Sequence, residues 1–248
     1  MHSKAFSKFQ KTARRCETLV DAYTTLHGLN AANNAVPAPP KDIVRGAVVL
    51  AVSALDAYVT DVFVEKLVTY LKKHKPDQDL IDLLFAAGLD TREALVLINM
   101  DRPYTRIRKL VSRYYAIYTT QKFDVIDKIF LPYRLKKLTD NAAAKTGKSS
   151  IKNRVSKLIE RRHEIAHGGD YNLHGRINDI DEKRVGTWVK SLEELVKAMD
   201  EIICARIPTP VARQANVAVV AVPAPANGNH DVLDDANEAP IAGLDEEA

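Results

Sequence analysis

Ser149 to Asp170 reads SSIKNRVSKLIERRHEIAHGGD. Ile151, Val155, Leu158, Ile159, Ile165 and Ala166 recur in it at intervals of three and four, the spacing that collects apolar side chains on one side of an α-helix. Ser149 or Ser150 can cap its start, because a side-chain oxygen there accepts from the free N–H groups of the first turn. Gly168 and Gly169 tolerate the left-handed backbone on which helices commonly end. A helix over about 150–167 is therefore expected. Arg162 interrupts its stripe: at about 100° per residue it projects among Leu158, Ile159, Ile165 and Ala166, near the middle of the apolar face.

A guanidinium withdrawn from water without a counter-charge is costly, so Arg162 needs a carboxylate, a subunit interface or a bound anion. Arg161 falls at the edge of the stripe and reads as an ordinary surface charge. His163 and His167 are four residues apart and so share one side of the helix. Imidazole is the side chain best suited to take and return protons near neutral pH. On spacing alone, a structural ion pair for Arg162 and helix-end roles for the histidines explain the pattern as well as a reaction centre does.

Outward from this segment the chain reads as helix nearly throughout. Residues 3–27 form a basic amphipathic stretch closed by Gly28, and a loop ending in VPAPP (Val36 to Pro40) follows. Residues 41–74 carry one long helical pattern with Val44, Val48, Leu55, Val59, Val62 and Leu67, and Pro76 stops it. Shorter helices are expected at about 78–87, 90–100 and 103–118, and another over 121–138 with Pro132 as its break. Residues 139–150 read as a polar connector, and a last helix is expected over 181–206. No run alternates strictly enough for a strand, and no internal repeat is visible. The expected fold is all-α, one domain over 1–207 with two long core helices and shorter helices inserted between them. Residues 208–248, rich in Pro and Ala and ending in an acidic cluster, read as a disordered tail.

Charge divides unevenly. The chain carries +4, but from Pro208 onward Arg213 stands against seven carboxylates, so the tail is at −6 and residues 1–207 at +10. A body that basic suits a polyanionic partner, since neutralising phosphates releases counterions; the tail could fold onto it and compete with such a partner. Cys16 and Cys204 are the only cysteines, in no metal-ligand spacing, which suits a reducing cytoplasm. The longest apolar run, Ala47 to Leu55, is too short to span a bilayer, so no membrane role is expected.

RRHEIAHG (Arg161 to Gly168) resembles the signature of the HEPN superfamily: an Arg, a polar residue that is usually Asn, Asp or His, and a His a few residues later. Arg162 matches the Arg, His163 the polar position and His167 the final His, with four residues between, an Rx4H pattern. The ending IAHG is similar to the bacterial branch associated with RNA degradation and defence. VLAVSALDAYVTDVFVEKL (Val49 to Leu67) resembles that branch's early long helix, and VGTWVKSLEELVKAMDEII (Val185 to Ile203) the helix after the motif. The resemblance spans about 41–205. It implies an endoribonuclease that needs no metal or cofactor, with Arg162, His163 and His167 from two protomers lining a shared site. It implies products with 2′,3′-cyclic phosphate and 5′-hydroxyl ends, and a toxin or phage-defence setting with an antitoxin or regulatory partner. Some relatives bind RNA or nucleotides, or serve as interaction modules, without cutting.

His163 to His167 also spells HExxH, the zinc-peptidase pattern, with Glu164 as its base and Glu193 or Glu194 as a third ligand. Two arginines directly before the first His oppose a bound cation, and the metzincin extension fails, with Asp170 and Leu173 in place of Gly and His. DRPYTRIRKLVSRYYAIYTTQK (Asp101 to Lys122) interleaves cations with tyrosines, so Arg106, Arg113 and Tyr114, along with Arg161, are candidate RNA contacts. An ordinary amphipathic helix with its aromatics inside is the competing reading. Asp56 and Asp61 are candidate partners for Arg162 or a histidine. AAAKTGKSS (Ala142 to Ser150) lacks the glycines and the preceding strand of a phosphate loop.

Overall fold

The computed structural model describes residues 2–33, 37–118 and 120–208. The tail expected to be disordered therefore lies outside the described residues beyond Pro208, as does its acidic cluster. The described residues form nine α-helices and one 3₁₀ turn, with no strand among them; Tyr171 and Ile177 make an isolated bridge.

The centre is α2 (Asp42–Lys73). Val44, Val48, Val52, Leu55, Val59, Val62 and Leu67 are all buried on it, and so are Ala47, Ala51, Tyr58, Phe63 and Tyr70. Their apolar arc is too wide for a single neighbour to cover. α1 (Lys4–Ala32) runs along it, and α8 (Ile151–Gly168) and α9 (Glu182–Arg206) pack on α2 and on each other, making a four-helix core. By length and composition α2 alone among the described helices could cross a membrane, yet its apolar side chains are spent on this core. α1 continues past Gly28, where it was expected to close, because nothing there demands a left-handed residue and its last turn is exposed.

The ends of the body meet at Asp200. This fully buried carboxylate of α9 accepts from the Ser3 backbone N–H (3.0 Å), the Ser3 hydroxyl and the Tyr58 hydroxyl (3.3 Å), and it contacts His2 Nδ1 at 3.0 Å. Ser3 in turn caps α1 by accepting from Phe6 N–H at 2.9 Å. Both cysteines are free, and burial pushes the Cys16 thiol up to about 11.

α3 (Gln78–Ala86), α4 (Thr91–Ile98) and α5 (Pro103–Ala116) form the expected insertion, with α5 seated on α2. The next expected helix breaks at Pro132 into α6 (Phe123–Ile129) and a 3₁₀ turn (Leu131–Tyr133). Tyr133 stacks on Phe63 at 4.4 Å and donates its hydroxyl to the Phe63 carbonyl at 2.7 Å, and Tyr115 meets the same ring edge-on. The polar stretch 139–150 is not a connector: most of it is α7 (Leu138–Thr146), packed on α9. Asp127 accepts from the Thr139 N–H and hydroxyl at its start, Ala142 is fully buried, and Lys145 pairs with Glu201 at 2.8 Å. Ala, Lys and Thr look like solvent-facing composition, but alanine is the strongest helix former and lets two helices approach closely.

Phe63→Ala should lower stability by about 3–5 kcal/mol, the usual cost of emptying a buried aromatic site. Urea unfolding followed by circular dichroism checks this; a loss under about 1 kcal/mol would mean that the Phe63–Tyr133 stack does not couple the insertion to α2.

Candidate functional site

Ile151, Val155 and Leu158 bury the first half of the α8 stripe; from Ile159 onward the helix rises out of the core. Ile159, Arg162 and Ile165 are half-buried, while His163, Ala166 and His167 are exposed. Ser150 holds the N-cap position without a side-chain cap bond, and Gly169, at φ 60°, supplies the left-handed stop.

Arg162 lies where the stripe opens. Its Nε is buried and has no hydrogen-bond partner, the one such side-chain atom among the described residues. Arg162 lines a cleft of about 1070 Å³, together with Ile159, His163 and His167. The two imidazoles stand side by side, ring centroids 4.5 Å apart. Of the three answers the sequence left open for Arg162, a carboxylate partner is not supplied by the described residues. A cation with an unused buried donor beside two imidazoles can hold an anion and exchange protons with it.

Asp56 of α2 and the segment before α6 make the opposite wall, with Tyr118, Lys122 and Phe123 on it. Asp56 does not pair with Arg162. Its carboxylate accepts from the Thr120 N–H (3.1 Å), the Thr120 hydroxyl (2.8 Å) and the Gln121 amide (2.8 Å). Thr120 is fully buried and Gln121 nearly so, so Asp56 clips this wall to α2. Asp61 pairs with Lys8 instead, at 2.7 Å.

Arg161 is not an ordinary surface charge. Its side chain is 11% exposed and grips the 1%-exposed Asp170 carboxylate at 2.5 and 2.7 Å, with a third contact to Glu164 at 2.7 Å. Arg45 of α2 reaches the same carboxylate through Nε at 2.6 Å. The left-handed exit through Gly169 and Asp170 (φ 64°) turns that carboxylate back along α8, a reversal that helical periodicity does not encode. The signals in the sequence were a cation inside the apolar run of α2 and an acid directly after two glycines.

The other candidate RNA contacts are dispersed. Arg106 is bound to Glu93 at 2.5 Å, Tyr114 shares a 2.6 Å hydroxyl contact with Tyr118, and Arg113 is exposed. None of these three lines the cleft; Tyr118, Lys122 and Phe123, just beyond them in sequence, do. For the zinc reading, His163 and His167 stand together but no third ligand is placed with them among the described residues. Among the described residues there is no group of three or more His, Cys, Asp or Glu side chains placed to hold a metal. Glu194, a suggested third ligand, is bound to Lys148 at 2.6 Å, and Glu164 is taken by Arg161.

Residues 11–205 match a family model described as RiboL-PSP-HEPN. No curated protein and no solved structure matches the chain.

Asp56→Ala should release the 120–123 wall while leaving the four-helix core folded. Thr120 would keep a buried N–H without its acceptor, and its hydroxyl would keep only the Asp56 backbone carbonyl at 3.4 Å, a loss of about 1–3 kcal/mol. Amide hydrogen exchange should quicken at 120–123 and stay slow in α2 and α9; unchanged protection there would show that Asp56 does not hold the wall.

Proposed function

The chain belongs to the RiboL-PSP-HEPN family, and from that membership and the Arg162 cleft we propose that it is a metal-independent endoribonuclease. The family suggests ribonuclease or RNA-binding function, and HEPN domains are commonly nucleases. The observation that carries the step to catalysis is Arg162 itself: a buried donor left without a partner, in a cleft shared with His163 and His167. A structural arginine would have its hydrogen bonds filled, as Arg161 does.

In this reading the RNA phosphate sits against Arg162, which offers planar, charged donors as negative charge builds on the phosphorane oxygens. One imidazole takes the proton of the ribose 2′-hydroxyl as that oxygen attacks phosphorus. Another returns a proton to the 5′-oxygen as the P–O5′ bond breaks. The products are a 2′,3′-cyclic phosphate and a 5′-hydroxyl. His167 is the acid–base group and His163 orients the phosphate. A second protomer packed on the exposed face of α8 would supply a second Arg162 and His167, so the proposed enzyme is a homodimer with a composite site. The +10 body favours a polyanion over a neutral substrate. A cytoplasmic toxin or phage-defence effector, restrained by an antitoxin or regulatory partner, is the setting the family resemblance proposes.

The test is cleavage of an end-labelled single-stranded RNA with and without EDTA. The parent should cut in both conditions and leave cyclic phosphate ends. Arg162→Ala and His167→Ala should each lower the rate by about 10²–10⁴-fold. RNA binding without cutting by the parent would replace this reading with that of a non-catalytic binding module, and loss of cutting in EDTA would overturn metal independence.

A further inference from the structure

The half of α8 that carries the proposed site is held by the core only through the half-buried Ile159 and Ile165. Between Leu158 and Asp170 no residue is fully buried, and His163, Glu164, Ala166, His167, Gly168 and Gly169 are all exposed. Helix ends fray where nothing packs on them. Beyond Ile165, what ties this end down is polar. Asp170, three residues after His167, is held by Arg45 Nε from α2 and by both terminal nitrogens of Arg161 from α8. Its backbone joins in: the Asp170 N–H donates to the Glu164 carbonyl (3.2 Å), and its own carbonyl accepts from Asn178 N–H (2.7 Å). Arg45 closes the ring by donating to the Asn178 carbonyl at 2.6 Å, which anchors the 171–177 loop as well.

We infer that the Arg45–Asp170–Arg161 clasp is a positioning device for His167, and that Asp170 is its essential member. The inference rests on the reading of His167 as the acid–base group. Each member suits the task. Asp170 occupies a left-handed conformation that aspartate and asparagine tolerate better than most residues. Arg45 is rooted among fully buried neighbours, Val44 and Ala47, so it refers the helix end to the rigid core. Arg161 and Arg162 project differently from adjacent positions: one is consumed by the clasp, the other is left free for the cleft. With the clasp open, the last turn loses its registration, and His167 samples orientations in which its nitrogens do not address the phosphate that Arg162 holds.

Asp170→Asn tests this in the full chain. It keeps the size and the backbone tolerance of Asp170 and removes the charge. With ¹³C-labelled histidine, the parent should show one sharp His167 ring signal, assigned by its loss in His167→Gln. In Asp170→Asn that signal should broaden or split, while His74, at the end of α2 opposite Arg45, stays unchanged. RNA cleavage should fall about 10- to 100-fold in kcat, with KM within about threefold of the parent. Arg45→Lys, which keeps the cation but loses the forked donors, should do the same to a smaller degree and decides the matter if Asp170→Asn does not fold. An unchanged His167 signal with unchanged kcat overturns the inference. If the parent cuts no RNA, the ribonuclease reading falls, and the His167 signal alone still decides the clasp.

Discussion

A helix of 32 residues with apolar side chains over most of its circumference has no stable place at a surface, and the rest of the chain is arranged around that constraint. Covering α2 takes α1 along its length, α8 and α9 beside it and α5 on the inserted side. Three of these are long helices, and each presents its own apolar face to α2. α8 differs because its apolar face is fully buried only as far as Leu158, with Ile159 and Ile165 beyond it half-covered. The same helix is therefore core at one end and cleft wall at the other, and its change of role happens within about one turn. The cleft exists because α8 leaves the core before it ends.

Much of this was legible in advance, for a physical reason. Helices whose apolar positions repeat over many turns announce themselves, so α1, α2, α8 and α9 stand close to where periodicity puts them. The misreadings share a cause as well. α7 was hidden because alanine can be core in a helix without being hydrophobic enough to mark a stripe, and Ala142 is such a residue. Gly28 was read as a stop on identity alone, although glycine stops a helix only when the chain turns left-handed there. In the site, Arg162 stood out because it violates its own helix pattern. Arg161 did not, since its partner lies beyond a chain reversal. Pairings between distant positions, such as Asp56 with Thr120 or Arg45 with Asp170, leave no mark that a single sequence can show.

The adjacent arginines show how a fold separates structure from chemistry. Both carry the same charge, one residue apart, on the same half-buried turn. Arg161 has its terminal nitrogens engaged by Asp170, Glu164 and the Asp179 carbonyl, which leaves them little to offer a ligand. Arg162 retains a buried Nε with no acceptor, a state that folding alone would not favour. Two cations share the Asp170 carboxylate, so that carboxylate is oversubscribed and cannot be drawn towards Arg162. The clasp thus leaves the donor of its neighbour unclaimed.

Asp200 has a consequence for synthesis. The residues that open the body, His2 and Ser3, find their acceptor on α9, nearly 200 positions later. A ribosome adds about 5–20 residues per second, so α1 waits on the order of ten seconds or more for the contact that seats its first turn. α8 likewise emerges before the helix it packs against. α9 is the last of the four core helices to be made. For a protein that would cut RNA, native geometry then arrives only when almost the whole domain has left the exit tunnel.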